Sequence, residues 1–175
     1  MSKIVSFIGS TVARSVLGAF LALGLAQALV AEDAAPAWVV PAGWTKLEAE
    51  KPMRVATYRA GEGANAVEVA VSVFPGDVGG LLGNVNRWRR QVALDALTQD
   101  QLAANVQAFE NPGYSGCTMR LKGEASHMLG AAIKDVKGER TWFVKIQGAP
   151  AAIEAQEAAF LAFAKSFTAE KTPEK

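Results

Sequence analysis

The chain has 175 residues, with 18 Lys and Arg against 17 Asp and Glu, and half of its residues are hydrophobic. This balance excludes the bulk attraction that nonspecific nucleic-acid binding requires, so no nucleic-acid partner is expected. The only cysteine, Cys117, excludes an internal disulfide, and the fold must be held by packing.

Lys3 and Arg14 precede an uncharged stretch over 15–31, after which Glu32 and Asp33 restore polarity. That order is the order of a secretory signal peptide, and Ala26-Gln27-Ala28 offers the small residues a signal peptidase accepts. Cleavage is expected after Ala28, with Ala31 as the second choice. The alternative is an uncleaved membrane anchor, because the uncharged run approaches the roughly 20 residues that span a bilayer. Neither end of the signal carries a cysteine for acylation. Removing 28 residues from 175 leaves 147, enough for one domain with its own core. The expected organisation is a signal peptide over 1–28, a flexible leader over 29–37, one domain over 38–168 and a disordered tail over 169–175. The expected address is the periplasm or the exterior.

In the mature chain, Pro41-Ala42-Gly43-Trp44 punctuates a turn, and Pro52 precedes an extended piece over 53–58. Gly61 and Gly63 then turn a hairpin into a strand from Val67, where Val67, Val69, Val71 and Val73 share one face and Glu68, Ala70 and Ser72 the other. Pro75-Gly76-Asp77 and Gly79-Gly80 break that strand. Leu81, Val85, Trp88 and Val92 follow at helical spacing, predicting a helix from about 81 or 84 to 93 with these residues inward. Thr98 with Gln101 three residues later is a capping-box pattern, and Leu102, Val106 and Phe109 extend a second short helix that ends at Asn111-Pro112-Gly113. Strands are expected over 114–121, 128–136 and 141–147, forming an antiparallel meander whose last strand is central and covered on both sides. Pro150 opens a terminal helix whose Ile153, Phe160, Ala164 and Phe167 form one stripe flanked by Phe163.

Strands, two helices, three strands and a helix do not alternate as a doubly wound sheet requires. The fold class is therefore α+β, an antiparallel sheet built from a hairpin and a three-stranded meander with helices packed on its faces.

Three kinds of chemistry are open to this frame. His127 and Cys117, the sole histidine and thiol, lie on adjacent predicted strands and offer a nucleophilic dyad; the plainer reading makes Cys117 a small core residue and His127 a strand-end residue. One His and one Cys do not supply a zinc set, and Asp77 stands alone in its loop, so neither metal nor cofactor is expected. The glycine-rich passage into the first helix lacks the endings of a P-loop or a dinucleotide fingerprint, yet its free N–H groups suit an anion. Gly79, Gly80, Asn84, Asn86, Arg87 and Arg90 are the candidate ligand or partner residues, because arginine binds planar oxyanions in a bidentate way. The alternative is a solvated helix face, or Arg87 and Asn84 buttressing the glycine loop.

Gly43-Trp44, Met53-Arg54-Val55-Ala56-Thr57, Gly79-Gly80 with Asn84-Val85-Asn86-Arg87-Trp88-Arg89, and Trp142-Phe143-Val144-Lys145 together resemble a family of small exported bacterial proteins of unestablished activity. The order of elements also resembles the α/β/α sandwich of the photosystem II extrinsic protein PsbP and its relatives. That resemblance implies a binding or assembly accessory and carries over no functional residue. The expected function is a non-enzymatic envelope domain that contacts an anionic small ligand or an acidic envelope partner through residues 76–91. The alternatives are a small periplasmic hydrolase using His127, and a membrane-tethered accessory domain.

Overall fold

A computed structural model of the chain describes residues 36–48 and 51–169. The expected signal peptide, most of the leader and residues 170–175 lie outside the described residues. Among those described, no helix is long and apolar enough to cross a membrane.

Seven strands form one antiparallel sheet: β1 (Thr45–Lys46), β2 (Ala56–Ala60), β3 (Val67–Pro75), β4 (Gln107–Asn111), β5 (Tyr114–Lys122), β6 (His127–Asp135) and β7 (Arg140–Gly148). Their spatial order is β1-β2-β3-β7-β6-β5-β4. The early hairpin β2-β3 is thus joined to the late meander β5-β6-β7 by antiparallel pairing of β3 with β7, Val71 opposite Val144. Between them in sequence come α1 (Gly80–Gln91) and the single turn α2 (Gln99–Leu102), and α3 (Pro150–Ala164) closes the chain.

Alternation along the strands builds two cores, one on each side of the sheet. On one face Val69, Val71, Leu129, Ala131, Ile133, Val144 and Ile146 pack against Ile153, Phe160 and Phe163 of α3. On the other, Cys117, Met119, Leu121, Met128 and Phe143 pack against Val85, Trp88 and Leu102. The central position expected for the last strand is observed: in β7, Trp142, Val144 and Ile146 enter the first core and Phe143 the second. Ala37 and Thr168 exchange two backbone hydrogen bonds and so tie the two ends of the described chain together.

Two expected elements differ. The extended piece over 53–58 is displaced, and the strand begins at Ala56. Pro52 and Met53 form a turn in which the Arg54 N–H donates to the Lys51 carbonyl, and Met53 takes φ +63°. Proline followed by a left-handed residue is the order of a type II turn, whose second central position ordinarily prefers glycine. The second difference is the predicted helical extension through Val106 and Phe109. The helix stops after Leu102, a 3-10 turn covers Ala103–Asn105, and residues 107–111 become edge strand β4. The spacing from 106 to 109 puts both residues on one side of a helix but on opposite sides of a strand. Pairing wins because Phe109 lies opposite Gly116, where a side chain would meet the ring at 2.7 Å. The capping box itself is present, the Thr98 N–H donating to Gln101 Oε1 at 2.9 Å.

Helix α1 ends on Ala93, a non-glycine residue at φ +57°, while the Leu94 N–H reaches back to the Arg89 carbonyl. This is a left-handed helix stop where a Cβ is a cost. Ala93→Gly is expected to raise stability by about 0.5–1 kcal/mol, read as a higher urea midpoint at unchanged slope.

Candidate functional site

The passage from β3 into α1 is built by three left-handed glycines, Gly76, Gly79 and Gly80, at φ +64°, +76° and +70°. A Cβ at any of them would meet nothing within 4 Å. These glycines are therefore required by backbone conformation and not by a closely approaching neighbour. Asn84 is buried beneath them: its Nδ2 donates to the Val78 carbonyl at 2.6 Å and to the Gly80 carbonyl at 2.8 Å. Arg87 Nη2 in turn donates to Asn84 Oδ1 at 2.6 Å. Asn86 clamps the far connection, exchanging hydrogen bonds with both backbone groups of Leu97 at 2.9 and 2.7 Å. Arg89 Nε donates to the Asp95 carbonyl, and Arg90 is exposed.

Of the six candidate residues, Gly79, Gly80, Asn84 and Asn86 shape and brace the loop and helix, and Arg90 lies on the outer surface. Arg87 lines a hollow between the second half of α1 and the sheet, and Asn84 borders a second recess nearer the start of the helix. The hollow at Arg87 has a volume of about 220 Å³ and is lined by Arg54, Ala70, Ser72, Phe74, Arg87, Trp88, Gln91, Phe143 and Lys145. Register explains the gathering. Ala70 pairs with Lys145 and Ser72 with Phe143, so alternate residues of β3 and β7 line the floor beneath α1. Trp88 meets Phe143 edge to face at 5.5 Å. Arg54 enters from the turn before β2.

Among the described residues, three cations and no carboxylate line this hollow. Glu68, at its edge, accepts from Lys51 Nζ at 2.5 Å and Arg54 Nη1 at 2.6 Å, and these bonds hold its carboxyl below the ordinary range. Arg87 and Lys145 have only neutral acceptors, Asn84 Oδ1 and, for Lys145 Nζ, Gln91 Oε1 at 2.8 Å. Neither forms an ion pair among the described residues. Burial pushes the Lys145 ammonium below the ordinary lysine range, and the charges of Arg54 and Arg87 add to that shift.

Gln91 closes the stretch over 76–91 named from the sequence, whereas Arg54, Ser72 and Lys145 lie outside it and were missed. The available signal was the alternation in β7, which sets Lys145 on the same side as Phe143.

The candidate dyad does not assemble, and the plainer reading of Cys117 as a core residue and His127 as a strand-end residue holds. Cys117 pairs with Ala132 and His127 with Lys122, five rungs apart along the β5-β6 ladder. Cys117 belongs to the core under α1, whereas His127 Nδ1 lies 3.8 Å from Glu154 of α3 on the opposite face. Burial also raises the Cys117 thiol above its usual range, away from nucleophilic thiolate. Among the described residues, no three His, Cys, Asp or Glu side chains group as metal ligands. A second recess of about 410 Å³ beside Leu81, Cys117 and Ala132 is largely apolar, with Asp77, Glu110 and Lys134 among its lining residues.

Comparison with protein-family models finds no match, and comparison with curated proteins finds none either. Solved structures similar to this chain include the cyanobacterial PsbP protein CyanoP from Synechocystis, at 15% identity and TM-score 0.47 over 75% of this chain and 85% of that one. They include LpqN of Mycobacterium tuberculosis, described as involved in cell envelope biogenesis, at 11% identity and TM-score 0.42 over 76% and 82%. A protein from Bacteroides thetaiotaomicron is similar at 12% identity and TM-score 0.42 over 79% of this chain and 46% of its own.

Proposed function

We propose that this chain is an exported, non-enzymatic binding or accessory domain of the cell envelope that holds an anionic group in the hollow between α1 and the sheet. Export rests on the charged, apolar and polar order of residues 1–33 and the small residues before the expected cleavage point. Binding rests on one observation: Arg54, Arg87 and Lys145 share a concave site without a lining carboxylate. Clustering like charges on a half-buried lysine raises the free energy of the empty protein, and a bound anion relieves it. Gly79, Gly80, Asn84 and Asn86 act by holding α1 and Arg87 in place, and Arg90 extends the positive charge one turn along the helix.

The test is thermal unfolding of the exported chain in the presence of a panel of carboxylates, sulfates and phosphates at constant ionic strength. At least one anion is expected to raise the midpoint by several degrees, as specific binding to the folded state must. The rise should vanish in Arg87→Ala/Lys145→Met. A panel that leaves wild type unmoved, or that moves wild type and the double variant equally, would remove this reading.

A further inference from the structure

We infer, on the basis of the anion-binding reading above, that the group held in the hollow is a tetrahedral dianion, the phosphate of a small phosphate monoester. The first argument is charge. Glu68 is engaged with Lys51 and Arg54, so one acid already serves both of these cations. Arg87 and Lys145 remain with neutral acceptors only. One carboxylate would compensate one of them; a dianion compensates both.

The second argument is direction. Arg87 reaches in from α1, Lys145 and the Ser72 hydroxyl rise from β7 and β3, and Arg54 comes from the turn before β2. Donors on three structural supports suit oxygens that point three ways, whereas a planar carboxylate presents two oxygens in one plane. The third argument is size. About 220 Å³ lies below the roughly 300–1,000 Å³ of pockets that take drug-sized ligands, so the organic part of the ester is small. Phe74, Trp88 and Phe143 give that part an apolar wall. A free monoester and the exposed phosphate of a phosphatidic-acid headgroup share this chemistry, and the experiment separates them.

The exported chain is titrated calorimetrically with glycerol 3-phosphate, methyl sulfate and acetate at pH 5 and pH 8, and sedimented with phosphatidylcholine vesicles with and without phosphatidic acid. A monoester passes from one charge to two near pH 6. Glycerol 3-phosphate is therefore expected to bind about tenfold or more tightly at pH 8 than at pH 5, while methyl sulfate and acetate, singly charged at pH 8, bind at least tenfold more weakly there. Arg87→Ala and Lys145→Met should each weaken the phosphate by about 10–100-fold. Sedimentation with phosphatidic acid alone, without binding of the free ester, assigns the same phosphate to a lipid. Equal binding of acetate or methyl sulfate, with no gain at pH 8, overturns the dianion while leaving an anion site. Absence of binding to every probe overturns both.

Discussion

Lys145→Met is expected to unfold at a higher temperature than wild type at pH 7 and yet to have lost anion binding by about 10–100-fold. The stabilisation follows from the position of Lys145 beneath α1, where burial and then the charges of Arg54 and Arg87 lower its affinity for a proton. The unfolded chain binds that proton more tightly. Wild-type stability therefore carries a penalty in full below the folded-state pKa of Lys145, and the penalty disappears as pH rises toward that of a free lysine. The methionine variant has no such penalty, so its advantage over wild type should be greatest at neutral pH and shrink toward pH 11. Loss of the bond to Gln91 is a small offset, because that side chain is exposed and returns to water. Thermal scans at pH 7 and pH 10 check the sign. A variant less stable than wild type at pH 7 would mean that Lys145 is held there for packing and not against an electrostatic cost.

Phe163→Ala is expected to cost about 3–5 kcal/mol, a large fraction of the stability of a domain this size. Phe163 is fully buried in the core under α3 and is the hub of an aromatic group. Its ring lies 5.2 Å from Trp44, 5.6 Å from Tyr58, 5.7 Å from Phe167 and 6.2 Å from Trp38. Trp38 and Trp44 come from the start of the domain, so truncation loosens the attachment of the N-terminal segment as well as leaving a cavity. The cationic hollow is on the other face of the sheet. The folded fraction of the variant should bind anions as wild type does, and urea unfolding at saturating anion should show the same increment of protection as wild type. A loss below 1 kcal/mol would show that the surrounding aromatics close over the gap.

The two cores were legible because each rests on a local period. Val67 to Val73 at every second residue, Leu81 to Val92 at helical intervals, and the stripe of α3 name residues that the structure buries. The two elements that shifted did so for reasons that a hydrophobic period does not carry. Residues 107–111 pair with β5 because Phe109 covers Gly116, a contact invisible to a helical count. Residues 53–55 turn because Met53 adopts a left-handed conformation that composition would assign to glycine.

The site was legible only in part. The glycine-rich turn and the arginines of α1 attract notice in the sequence, but the same short-range pattern serves as a brace: Asn84 holds the loop and Asn86 holds Leu97. What places the exposed Arg87 at the border of a cationic hollow is the pairing of β3 with β7, strands more than sixty positions apart, which sets Lys145 beside Ala70. Arg54 arrives from a third segment. Nothing in a linear pattern joins residues 54, 87 and 145.

Titration of Lys145 by carbon-13 NMR reports directly whether an anion sits on its ammonium. With glycerol 3-phosphate at saturation, the Lys145 Cε signal should titrate at a higher pH than in the free protein, because a bound dianion favours the ammonium. The other lysines should stay in place. An unchanged Lys145 midpoint at saturating ligand would mean that the anion does not sit there.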